Sequence, residues 1–329
     1  MDEAPLRERS IRESQRFLQA LPLALPKLVQ ELSDTVVAVD AVPPPILSHL
    51  ARNSSLITSR LFECVRISAH VSYESEPRLN EPHDVEAANG FDSAIAADYL
   101  TTAIQLAFQL SELAAPGCVW AAEGATTVDG QVMTQVEEKH FISEFRDGES
   151  SLRSWPAVSD IPLLEVVDWA VACGMLNSAF AETRVQRTLA AFTHVVGQSM
   201  RREGETLFRA MQGLEAFYCD GTGDLRRQLA EKVRLWLGAG PDRANVVGHL
   251  YDLRSQYVHG SGKLQYWHPF RKAEADDPRS VERLSDGVGF AVRLLVASLQ
   301  RCVASDATDV QWVFASTTTA WKSQEGHEG

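Results

Sequence analysis

The chain has 329 residues, 45% of them hydrophobic, which is enough for one large core or two ordinary ones, and length favours two domains. A formal net charge of -13 argues against a protein that coats nucleic acid by bulk electrostatics. Five scattered cysteines without a C-x-x-C pair suggest neither a disulfide framework nor a zinc cluster, and they fit a reducing cytoplasm.

The charge is unevenly placed. Residues 1–177 carry 12 Lys+Arg against 26 Asp+Glu, whereas residues 178–305 carry 18 against 14. Fifteen of those eighteen are Arg, the side chain suited to bidentate phosphate contact, although a GC-rich coding sequence gives the same bias. The N-terminus is charged throughout, and no apolar run reaches the roughly 18 residues that a membrane span requires, so a soluble cytoplasmic protein is expected.

In chain order, two amphipathic stretches come first, Ile11 to Leu21 and Leu25 to Val39, with Pro22 and Pro26 introducing the second. Pro43, Pro44 and Pro45 stop any helix. Leu56 to Tyr73 is rich in β-branched residues and suits one or two strands, with a helix as the alternative. Residues 74–91 read as a loop. Asp92 to Leu113 has helical spacing between a capping Asp-Ser pair and Pro116-Gly117. Residues 119–124 and 130–145, about an Asp129-Gly130 turn, have the pattern of a hairpin, and 147–162 is loop-like again.

From Leu163 onward helical periodicity takes over. It predicts helices over 163–173, 178–196, 203–218, 224–237, 243–259 and 280–303, broken by Gly238 to Pro241 and by Gly260 to Gly262. The expected fold is therefore mainly α: an acidic α+β N-terminal domain over 1–160, a helical bundle over 161–305, and a flexible tail over 306–329.

The segment from Val246 to Gly260 carries the most chemistry. Leu250, Leu253 and Tyr257 form an apolar stripe, with Arg254 and His259 off it near the helix end. Five residues place that pair about 140° apart around the axis, so a contact needs the long Arg to reach toward the helix end. The two suit metal-free RNA cleavage, in which the 2′-hydroxyl attacks the adjacent phosphorus. The imidazole moves protons and the guanidinium holds the charged phosphoryl group. They equally suit a structural role, since both interact well with helix C-terminal carbonyls.

Three blocks, Phe208 to Cys219, Leu225 to Gly238 and Leu250 to Gly260, resemble in order and spacing the signature of Apea-like HEPN domains. The resemblance covers about residues 178 to 305. It implies a bundle that dimerises and brings two Arg-x4-6-His motifs into one cleft, used in active relatives as a metal-independent endoribonuclease site in antiviral defence, toxin and RNA-processing systems. Carried over by position, Arg254 would hold the scissile phosphate and His259 would be acid or base. Many active members have Asn, Asp or His after the arginine; Ser255 stands here, able to donate a hydrogen bond but not to carry charge.

Around the pair, Glu215 is either a support for Arg254 or a solvent-facing residue of an amphipathic helix. Asp252 reads as a surface or helix-pairing residue, and Tyr257 as core. Lys263, Tyr266, Trp267, His268, Arg271 and Lys272 form a basic-aromatic stretch of the composition that contacts RNA, or ordinary loop packing. No P-loop, carboxylate cluster or His-x-x-x-His face is present, so no cofactor or metal is expected. Two functions compete: a homodimeric RNA-cleaving enzyme of phage defence or stress response whose N-terminal domain receives a regulatory partner or ligand, and a non-catalytic module binding RNA, a nucleotide or a protein.

Overall fold

The computed structural model describes residues 4–29, 36–41, 65–70, 85–119, 124–128, 131–136, 155–197, 203–221, 223–238, 244–263 and 277–313. Among these the chain is mainly α.

Helix α1 spans Ala4–Leu28 and runs through both Pro22 and Pro26. An interior proline removes a backbone hydrogen bond and costs about 3 kcal/mol. Here Leu21, Ala24 and Leu25, all at 0% exposure, bury the face that carries the helix onward. The second amphipathic stretch is thus not a separate helix, and its end is a strand. β1 (Val36–Ala41) pairs antiparallel with β2 (Val65–His70), from Val36 opposite His70 to Ala41 opposite Val65. The Val-Val-Ala-Val run suits a pleated ribbon better than a helix, and its partner lies beyond any local pattern.

Helix α2 (Val85–Ala114) begins inside the segment expected as loop, because the chain is already helical when it reaches Asp92. β3 (Gly124–Val128) and β4 (Gln131–Val136) pair antiparallel, with the first strand later than expected and a register slip at Thr126/Thr127; the expected Asp129-Gly130 turn lies outside the described residues.

The remaining helices follow the sequence closely: α3 (Leu163–Ala172), α4 (Arg184–Val196), α5 (Glu203–Tyr218), α6 (Leu225–Leu237), α7 (Ala244–Val258) and α8 (Pro278–Ala304). The largest departure is the start of α4, placed at Arg184 by a capping box. The Thr183 side chain accepts from the Gln186 backbone, and the Gln186 side chain accepts from the Thr183 backbone.

One core joins the eight helices of the described residues. Phe17 of α1, Leu110 of α2 and Val166 of α3 belong to the same buried cluster as Phe192, Phe217, Val233, Leu250 and Leu295. A separate α+β domain over 1–160 is therefore not supported: α1 and α2 bury their apolar faces in the bundle itself, and the strands among the described residues are two two-stranded ribbons.

Helix α8 corrects a second expectation, since it is long and apolar enough to cross a membrane. Burial accounts for that composition, because 67% of its apolar window lies inside the protein. Near its C-terminal end Gln300 ties the helix to α2 and to the segment before α3. Its amide nitrogen donates to Leu113 O at 2.8 Å and Ser159 O at 2.7 Å, and its oxygen accepts from Ser159 N at 3.0 Å. Gln300→Leu would leave these buried groups unpaired, at about 1–3 kcal/mol for each one not rehydrated. Denaturant melts should show a drop of about 3 kcal/mol, and an unchanged midpoint would remove the fastening role.

The tail is anchored at its start. Trp169 Nε1 donates to Ala307 O at 3.0 Å, and Trp312 Nε1 donates to Phe217 O at 2.7 Å. The Trp312 ring lies against Phe217, Tyr218 and Trp236 at centroid distances of 6.1, 5.7 and 6.1 Å. Residues 314–329 fall outside the described residues.

Among the described residues three cysteines are buried, and burial raises their thiols, Cys118 to about 11 and Cys173 and Cys302 to about 12. They are neutral at ordinary pH and shielded, so Ellman's reagent at pH 8 should reach them only after denaturant is added. Rapid native labelling of these three would contradict the packing.

Candidate functional site

The face shared by α5 and α7 carries the Arg254 site. On α5, Phe208 and Glu215 stand seven residues apart, about two turns, and so share a face. On α7, Tyr251 and Arg254 are three apart and also share one. Two close approaches hold the helices together. A Cβ at Gly204 would fall 1.7 Å from Tyr257 Cζ, and one at Gly287 would fall 2.3 Å from Leu253 Cδ2. Glycine at each lets α5 and α8 receive a large α7 side chain.

The Arg254 guanidinium lies 3.7 Å from Glu215 Oε2, with side-chain exposures of 23% and 19%. Its Cζ is 6.0 Å from the Phe208 ring centroid and 5.9 Å from that of Tyr251. The ion pair is loose: 3.7 Å exceeds hydrogen-bond distance, and both Arg254 Nε and Glu215 Oε1 are buried without a hydrogen-bond partner. The Tyr251 hydroxyl is raised above its ordinary range by burial first and then by the negative charge of Glu215.

His259 lies just past the end of α7, exposed, and its backbone N–H donates to Ser255 O at 3.0 Å. Gly260 follows with a φ of 68°, a left-handed turn that glycine adopts without strain. Gly262 N then donates to Gln256 O at 2.9 Å, closing the turn. The structure therefore presents an exposed imidazole at the helix end and a half-buried guanidinium five residues earlier.

The other expected site residues divide. Asp252 pairs across to Arg226 of α6 at 3.3 Å, a helix-to-helix tie away from Arg254. Tyr257 packs against α5 through Gly204, and Ser255 is half-buried. Lys263 pairs with Asp277, the N-cap of α8, whose carboxyl is lowered to about 2 chiefly by that hydrogen bond. Tyr266, Trp267, His268, Arg271 and Lys272 lie outside the described residues. Phe208, Arg209 and Tyr251 were missed as site residues, because aromatic residues at helical spacing read as core. The i, i+7 alignment of Phe208 with Glu215 was the available signal.

A second charged group stabilises the end of α5. The fully buried Lys232 donates to Asp220 Oδ2 at 2.5 Å beneath the Trp312 ring, and burial holds its ammonium below the ordinary range. Arg184 also pairs with Asp220 and donates to Cys219 O at 2.7 Å, satisfying a carbonyl beyond the helix end.

Among the described residues no group of three or more His, Cys, Asp and Glu side chains is placed to hold a metal ion. No protein-family model, curated protein or solved structure matches this chain.

Proposed function

We propose that the chain is a metal-independent endoribonuclease of the HEPN type, acting in the cytoplasm as a homodimer in phage defence or stress response. The observation that supports this reading most is the loosely held Arg254 of α7, with the exposed His259 five residues on, just past the helix end. At 3.7 Å Glu215 restrains the guanidinium by charge alone, so a phosphate can replace that carboxylate at modest cost. Arg254 would then neutralise the phosphoryl oxygens while the 2′-oxygen attacks phosphorus and the 5′-oxygen leaves. His259 would move the protons, taking one from the 2′-hydroxyl or giving one to the leaving oxygen. The products are a 2′,3′-cyclic phosphate and a 5′-hydroxyl. The N-terminal helices and ribbons are where a regulatory partner or ligand would act.

A second reading has its own observation. Arg254 buries its Nε against Glu215 between two aromatic rings, as a residue bracing α5 against α7 would. A module that binds RNA, a nucleotide or a protein without cleaving follows from that. Incubating the purified full chain with total RNA and tRNA in EDTA separates the two. Cyclic phosphate ends, lost in His259→Ala, are expected; folded protein that leaves RNA intact would reject the nuclease.

A further inference from the structure

The surface beside Arg254 holds more than one cation. The Phe208 ring has two guanidinium groups beside it, with Arg209 Cζ 5.8 Å and Arg254 Cζ 6.0 Å from the ring centroid. Tyr251 adds a second ring 5.9 Å from Arg254. All four side chains are partly exposed rather than sealed in the core. Arg209 donates from Nη1 to Gln212 Oε1 at 3.2 Å, an exposed contact that it can exchange for an anion.

We infer that Arg209, Phe208, Tyr251 and Arg254 form a binding patch for single-stranded nucleic acid, with bases stacked on the two rings and phosphates held by the two guanidinium groups. Glu215 decides the ligand class. Its carboxylate offsets the charge of Arg254, so a purely ionic ligand such as an acidic peptide gains little here. A ligand that brings a planar π-face as well as a phosphate gains from both rings and from the remaining positive charge. The inference rests on RNA being the substrate class of the proposed nuclease, but it concerns binding and assigns no proton transfer. It places the substrate's neighbouring nucleotides along α5, upstream of Glu215.

The test is fluorescence anisotropy of a fluorescein-labelled ten-nucleotide single-stranded RNA, its 2′-hydroxyls methylated so that it cannot be cleaved, with the full chain at several salt concentrations. Phe208→Leu removes the stacking face and should weaken binding about five- to hundredfold. Arg209→Ala should weaken it and flatten the logarithmic salt dependence by about 0.7, the release expected for one contact on a single strand. Because Phe208 and Arg209 are both partly buried, circular dichroism and melting accompany each variant. Loss of affinity in both folded variants supports the patch. Absence of wild-type binding, wild-type affinity in either folded variant, or displacement of the RNA by a decaglutamate peptide at equal charge would overturn it. Comparing wild type with His259→Ala separates the two ideas: tight binding of RNA by the wild type without any cleavage rejects the nuclease alone, and His259-dependent cleavage with unchanged affinity in the α5 variants rejects the patch alone.

Discussion

His259→Ala is expected to lower RNA cleavage by about 10²- to 10⁴-fold while leaving the melting temperature unchanged. The stability half of this expectation comes from placement. His259 is exposed beyond α7, and among the described residues it ties the turn through its backbone N–H to Ser255 O, which alanine keeps. The activity half comes from the proposed chemistry, in which no other imidazole is assigned to the proton. Arg254→Ala makes a contrasting pair. It removes the phosphate holder but also leaves the half-buried Glu215 carboxylate without its cation, so activity and stability should fall together. Arg254→Lys tests the division further, because lysine keeps the charge beside Glu215 without the planar fork. If His259→Ala cleaves at the wild-type rate, His259 is not the proton carrier and the bracing reading gains.

Phe217→Ala should be the most damaging single change to the fold, at about 3–5 kcal/mol. Phe217 is fully buried, and its ring meets Tyr218, Trp236 and Trp312 at centroid distances of 4.8, 5.5 and 6.1 Å, mostly edge to face. Removing it empties the centre of that cluster and takes one of the ring partners of the tail's Trp312, although the Phe217 carbonyl that accepts from Trp312 Nε1 remains. Phe217→Leu should cost distinctly less, because it restores much of the volume. Equilibrium denaturation of the two variants measures the difference, and equal losses would mean that ring geometry, not volume, holds the cluster.

The helices after Leu163 were legible because several signals agree there. Period, capping residues and glycine breaks place α5 at Glu203–Tyr218 and α7 at Ala244–Val258 within a residue or so of expectation. The first half was less legible for two physical reasons. Pro22 and Pro26 read as punctuation, whereas burial of Leu21 and Leu25 carries α1 through them. β1 depends on a partner strand far along the chain, which periodicity cannot see. At the site, sequence singled out Arg254 and His259 and left Glu215 open between a support and a surface residue. Its position against Arg254 is a matter of how α5 and α7 face each other, which no spacing within either helix contains. The same holds for Gly204, whose missing side chain matters only because Tyr257 arrives from another helix.

The shared core has a consequence for how this protein can be divided. A boundary at residue 160, natural on charge and composition, would cut between α2 and α3 and leave Val166, Val167 and Trp169, now buried, facing water. A gene fusion, a limited digest or a shortened clone made there would split one folding unit rather than free two. Any signal received by the first helices would therefore reach the Arg254 face through shared packing, with no hinge to cross.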